Sequence, residues 1–134
     1  MENLLHVGLD VGSTTVKIVV MNENRNTIYR DYQRHFSDTK NTVCNVLENL
    51  ATRYPNSLLT IALTGSGAMS AAKFLDLPFI QEVVACKRAV EKYIPSTDVV
   101  IELGGEDAKI IYFDKSIEQR MNGTCAGGTG AFLD

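Results

Sequence analysis

Two short stretches of this 134-residue chain carry the same residue types at the same spacing. "LDVGSTTVK" holds Asp10, Gly12 and Lys17, and "IELGGEDAK" holds Glu102, Gly104 and Lys109. Each member of the second set lies 92 residues after its counterpart (102−10, 104−12 and 109−17). In the first, an acid ends a strand, and Gly12 lets the backbone turn where a Cβ would obstruct. Ser13, Thr14 and Thr15 then offer hydroxyl and N–H donors to an anion, which is the chemistry of a phosphate-cradling β-hairpin. Asp10 suits Mg²⁺ held through water, because magnesium favours one or two carboxylates plus phosphate oxygens. One such string alone is equally an ordinary hairpin with an exposed acid. Two in register point to a clamp on the phosphates of a nucleotide.

A third stretch, "NGTCAGGTGAFLD", sets Cys125 against a glycine-rich turn that opens a helix. A thiolate there is stabilised by the helix dipole and by glycine N–H groups. Residue types alone read more simply as a structural thiol at a helix start. Cys44, in "NTVCNVLENL", and Cys86, in "EVVACKRAV", sit in helical patterns and read as small buried hydrophobes.

These groups need elements to position them. Leu5, Val7, Leu9 and Val11 alternate, so residues 4–11 read as a strand. The β-branched run 15–22 is a second strand, "NENRN" a turn, and 27–35 a third, together an antiparallel meander. Val43, Val46, Leu47 and Leu50 then follow a helical period over 39–53, with Asp38 or Thr39 as cap. The apolar run 58–65 suggests a buried strand. A helix over 68–77 is ended by Pro78, 79–83 is a short strand, and 82–93 is a helix stopped before Pro95. A strand over 96–103 and a hairpin over 108–114 and 116–121 complete the chain.

Apolar positions repeat at the same offset: Val7 with Val99, Leu9 with Ile101, Val11 with Leu103, Ile18 with Ile110. That is a duplicated unit. The fold class is therefore α/β with a mixed βββαβα sheet, one domain over 1–96 and the beginning of a related second domain over 97–134.

Composition bounds the rest. The chain is 45% hydrophobic, so it can bury a core, and its net charge of −3 comes without any block of like charge. That leaves no electrostatic footprint for nucleic acid or an anionic membrane. No apolar run approaches the ~20 residues of a membrane span, and the first residues lack the basic region and cleavage site of a signal peptide. A cytoplasmic protein is expected. Three cysteines, widely spaced, argue against a disulfide framework.

The βββαβα order with two phosphate hairpins resembles the actin, Hsp70 and sugar-kinase superfamily, whose fold is ribonuclease H-like. Within it, "GLDVGSTTVK", "LTGSGA", "IELGGEDAK" and "MNGTCAGGTGAFLD" are similar to the activators of 2-hydroxyacyl-CoA dehydratases and benzoyl-CoA reductases. The resemblance implies an ATPase coupled to electron transfer, working as a homodimer that shares one 4Fe–4S cluster. Reduced ferredoxin or flavodoxin would supply the electron, and a 2-hydroxyacyl-CoA dehydratase or related reductase would receive it.

It also implies roles. Asp10 would be the magnesium-associated catalytic acid. Gly12, Ser13, Thr14, Thr15 and Lys17 would bind ATP or ADP through the first phosphate loop, and Gly104, Gly105 and Asp107 through the second. Glu102 and Glu106 depart from the family's commoner D-I-G-G-Q-D string. Glu102 still reaches magnesium through water, whereas Glu106 replaces an amide suited to orienting the attacking water. Cys125 would be the first cluster ligand. The second lies beyond Asp134, so the chain is expected to be an N-terminal fragment, and an inactive one by itself. A small-molecule kinase of the same superfamily and a non-catalytic module are the alternatives. A kinase does not need Cys125, and a cluster protein cannot spare it.

Overall fold

The computed structural model describes residues 3–104, 108–113 and 118–121, the last stretch by its backbone alone. The chain divides into two compact units, Met1–Ile80 and Gln81–Asp134.

In the first unit, β1 (Asn3–Val11), β2 (Thr15–Met21) and β3 (Thr27–Arg34) form the antiparallel meander. Helix α1 (Thr39–Arg53) then crosses over and returns the chain as β4 (Ser57–Thr64), parallel to β1. The sheet order is β3-β2-β1-β4. A short helix, α2 (Ala68–Leu75), follows. One sheet face carries Leu5, Val7, Leu9 and Val11 from β1 and Val16, Ile18 and Val20 from β2, every one buried. The stripe Val43, Val46 and Leu50 of α1 joins them in a single core. Each such side chain removed from water contributes roughly 1.5–3 kcal/mol, an upper figure because unfolded chains already bury part of it. Helix α1 starts where the sequence placed it: Asp38 is the cap, its Oδ1 accepting the Asn41 N–H at 3.4 Å.

Four expectations need correction. Strand β4 is not buried. Leu63 is its one buried residue and Leu58 is 58% exposed, because β4 is the edge of this four-stranded sheet. The expected strand over 79–83 reduces to a single bridge between Leu63 and Phe79, and Glu82 already belongs to the next helix. Helix α2 ends at Leu75, ahead of Pro78, because Asp76 turns left-handed at φ 52 and its N–H closes on the Ala72 carbonyl. Acidic and amide side chains tolerate that conformation better than most. Cys44 is exposed rather than buried, lying one position off the Val43, Val46, Leu50 stripe.

The second unit holds α3 (Glu82–Tyr93) and an antiparallel sheet of β5 (Val99–Leu103), β6 (Ala108–Tyr112) and β7 (Glu118–Met121), in the order β5-β6-β7. Its first hairpin repeats that of the first unit residue for residue. Val7 faces Val20, Leu9 faces Ile18, Asp10 faces Lys17 and Val11 faces Val16. Val99 faces Tyr112, Ile101 faces Ile110, Glu102 faces Lys109 and Leu103 faces Ala108. Moving each first-unit residue along by the repeat length gives its second-unit counterpart. A one-residue slip in either hairpin would put the acid and the lysine out of step, so the coincidence of register is specific.

Candidate functional site

The first glycine turn is built by closing β1 onto β2. The Gly12 N–H donates to the Thr15 carbonyl at 2.9 Å, and Thr15 is buried as β2 begins. The register sets Asp10 opposite Lys17, and Lys17 Nζ reaches Asp10 Oδ2 at 3.1 Å with its side chain 45% exposed. A pair that open to water stabilises the fold little, about 0–1 kcal/mol. Its effect is to aim the carboxylate.

The other carboxylate oxygen is in a different situation. Asp10 Oδ1 is buried and has no hydrogen-bond partner, and neither has Oγ1 of Thr64, the residue paired with Asp10 across the parallel β1–β4 ladder. A buried acceptor left unsatisfied costs about 1–3 kcal/mol. An orphaned carboxylate oxygen is a group that magnesium and its waters could satisfy. Among the described residues no three His, Cys, Asp or Glu side chains group to hold a metal ion; magnesium needs only one or two protein carboxylates where phosphate oxygens supply other ligands.

A second turn backs the first. Residues 65–67 connect β4 to α2, and the Gly67 N–H donates to the Val11 carbonyl at 2.8 Å. Gly65 has φ +101, and a Cβ there would run into the Val11 carbonyl oxygen and come within 2.6 Å of Asp10 Oδ1. Gly67 is nearly as tight: its Cβ would lie 3.2 Å from the Gly12 carbonyl oxygen. The "LTGSGA" stretch thus locks the floor of the first turn, a role that residue patterns had not assigned to it. Gly12 itself is the opposite case. A Cβ there would meet Thr15 O at an ordinary 3.6 Å, so the chain's own packing does not require glycine at 12, contrary to expectation.

On the second hairpin, Glu102 and Lys109 face each other but are not the tightest pair. Lys109 is buried and its Nζ lies 2.8 Å from Oε2 of Glu82, in the first turn of α3, against 4.0 Å from Glu102 Oε1. Gly104 follows directly on β5. Gly105, Glu106, Asp107 and Cys125 lie outside the described residues. Asp10, Gly12, Ser13, Thr14, Thr15 and Lys17 are therefore brought together on one hairpin, and Glu102 and Gly104 on its repeat.

Near the second hairpin, burial pushes the Cys86 thiol up, and Glu102 and Glu82 add to the rise while Lys109 opposes it. A raised pKa leaves less thiolate at a given pH, and the thiolate is the reactive form. Exposed Cys44 should therefore alkylate ahead of Cys86 at mildly alkaline pH, read by peptide mass spectrometry after limited iodoacetamide treatment. Lys109→Met should slow Cys86 further.

Comparisons with known proteins agree with the geometry. A model of the BadF/BadG/BcrA/BcrD ATPase family matches residues 7–134. The (R)-2-hydroxyglutaryl-CoA dehydratase activating ATPase of Acidaminococcus fermentans is 29% identical over 134 residues, covering 96% of this chain and 50% of that protein. The 2-hydroxyisocaproyl-CoA dehydratase activator of Clostridioides difficile is 31% identical over 135 residues, covering 96% and 49%. The solved structure of the activator of the 2-hydroxyisocaproyl-CoA dehydratase from Clostridium difficile, with bound ADPNP, superposes with TM-score 0.78 at 29% identity. That match covers 97% of this chain and 50% of the solved one. The chain spans about half the length of these curated relatives. Its fold is the mixed α/β fold of the actin, Hsp70 and sugar-kinase group. With nearly its whole length matched, the chain belongs to the BadF/BadG/BcrA/BcrD ATPase family.

Proposed function

We propose that this chain carries the phosphate-binding part of an ATP-hydrolysing activator. The complete protein would donate an electron, through a 4Fe–4S cluster shared by a homodimer, to a 2-hydroxyacyl-CoA dehydratase or related reductase in the cytoplasm. Reduced ferredoxin or flavodoxin would be its source. The observation that carries the reading is the identical register of the two hairpins, each with an acid opposite a lysine at the mouth of a glycine turn. In this reading the first domain would span 1–96 and the beginning of a related second domain 97–134. Among the described residues no helix is long and apolar enough to cross a membrane.

In this reading Asp10 would hold Mg²⁺ through water, and Lys17 steadies its carboxylate at Oδ2. Bound magnesium would neutralise charge on the β- and γ-phosphates. Gly12, which the chain's own packing does not demand, leaves room for a phosphate to approach the backbone of Ser13, Thr14 and Thr15. Gly104, Gly105 and Asp107 would bind phosphate from the second turn, where Glu102 would serve the metal and Glu106 the attacking water. Lys109 is drawn toward Glu82.

A 4Fe–4S cluster takes four thiolates, and this chain alone does not supply them. It has three cysteines, Cys44, Cys86 and Cys125, and the first two lie on helices α1 and α3. The cluster role rests on Cys125. Cys125→Ala in the complete polypeptide should therefore abolish bound iron and electron transfer, while ATP binding at the hairpins persists. Anaerobic reconstitution, iron counting and an ATP titration check this, and a mutant keeping its full iron would make Cys125 merely structural. The 134-residue chain by itself should turn over little or no ATP, because phosphoryl transfer needs both turns and an adenine pocket held in one cleft.

A further inference from the structure

We propose that His35 is a positioning residue for the first phosphate turn, holding its carbonyl groups away from the face that meets the anion. This rests on the nucleotide-binding reading above. His35 follows β3 and is buried, and nothing in the spacing of the sequence marked it. Its main-chain N–H donates to the Thr14 carbonyl at 3.1 Å, and its ring Nε2 lies 3.2 Å from the Gly12 carbonyl. The Ser37 N–H donates to Nδ1 at 3.2 Å, and the Thr39 hydroxyl lies 3.4 Å from the same nitrogen. Nδ1 is thus the acceptor, so Nε2 carries the proton and donates to Gly12.

The consequence is electrostatic. A carbonyl oxygen turned toward a phosphate repels it, and an N–H turned toward it attracts it. Here the Val11 carbonyl is taken by Gly67, the Gly12 and Thr14 carbonyls by His35, and the Thr15 carbonyl by Gly12. Two of those four restraints come from one residue. The segment behind it is held in a conformation that its residue types resist. Phe36 and Ser37 have φ 45 and 68, left-handed values that cost non-glycine residues energy and persist only where the surroundings impose them. Phe36 is 80% exposed, so packing of its ring does not impose them. The bonds from Ser37 N–H to the imidazole and from Asp38 N–H to the His35 carbonyl at 2.7 Å do.

Glutamine and asparagine separate the two ends of the ring. A glutamine amide puts a donor near the place of Nε2, and an asparagine puts an acceptor near Nδ1 without reaching Gly12. Mg–ADPNP is titrated into the ¹⁵N-labelled 134-residue chain and its variants, following the backbone amides of residues 12–15. Affinity should fall about three- to tenfold in His35→Ala and His35→Asn, the loss expected for one hydrogen bond, and stay within about twofold in His35→Gln. Melting temperatures check that the variants remain folded. Equal affinity in His35→Ala and wild type would overturn the proposal, as would a His35→Gln variant that melts normally yet binds like His35→Asn. A further readout needs no variant: ring ¹⁵N shifts of wild type should report the Nε2-protonated tautomer, and the Nδ1-protonated form would contradict it. Should wild type not respond to Mg–ADPNP, the nucleotide reading fails. The bracing is then decided by exchange of the Gly12 amide, which should quicken about tenfold in His35→Ala and His35→Asn but not in His35→Gln.

Discussion

Gly65→Ala is expected to destabilise the first unit by on the order of 3 kcal/mol and to displace the phosphate turn with it. Two costs combine. At φ +101 any L side chain is strained, and the new Cβ would collide with the Val11 carbonyl and crowd Asp10 Oδ1 at 2.6 Å. The collision partner is backbone, so it yields only if the end of β1 shifts, and that end carries Asp10 and the turn. Urea unfolding measures the first effect and Mg–ADPNP affinity the second. Two other glycines serve as controls. Gly8 has nothing within 4 Å of its Cβ position, so Gly8→Ala should leave stability unchanged or raise it by about 0.5 kcal/mol. At Gly12 the Cβ meets Thr15 O at 3.6 Å, so Gly12→Ala should fold normally and lose nucleotide affinity. Equal stability of Gly65→Ala and Gly8→Ala would mean that the 65–67 turn is not packed on the site.

How far the sequence led differs from element to element, for physical reasons. Helix α1 was legible to the residue because its apolar period and its Asp38 cap are both local signals. The two hairpins were legible because an acid, a glycine and a lysine recur at one offset, and the pairing register kept that correspondence. Burial was harder. The apolar run of β4 looks like a core strand, but burial depends on what lies beside it, and here β4 is a sheet edge. Cys44 failed for a related reason, since one step around a helix separates a core position from an exposed one. The supports of the site were least visible. The role of Gly65 follows from a left-handed φ and a close approach across two strands, and that of His35 from a contact to a turn far behind it in the chain. A lone histidine at the end of a strand gives no pattern to read.

The second large effect concerns Asp10, and it tests the central claim that the glycine hairpin of the first unit binds nucleotide phosphate through magnesium. Asp10→Asn keeps the shape of the side chain and removes its charge. The exposed Lys17 then loses a partner at a stability cost of about 0–1 kcal/mol, so the fold should survive. The measurement is a titration of ¹⁵N-labelled wild type and Asp10→Asn with ADPNP, with and without Mg²⁺, following the backbone amides of residues 12–15. Wild type should show saturable shifts at these amides that tighten when Mg²⁺ is present, and Asp10→Asn should lose the magnesium dependence. Shifts that leave residues 12–15 untouched, or that are the same with and without Mg²⁺ in wild type, would contradict the account.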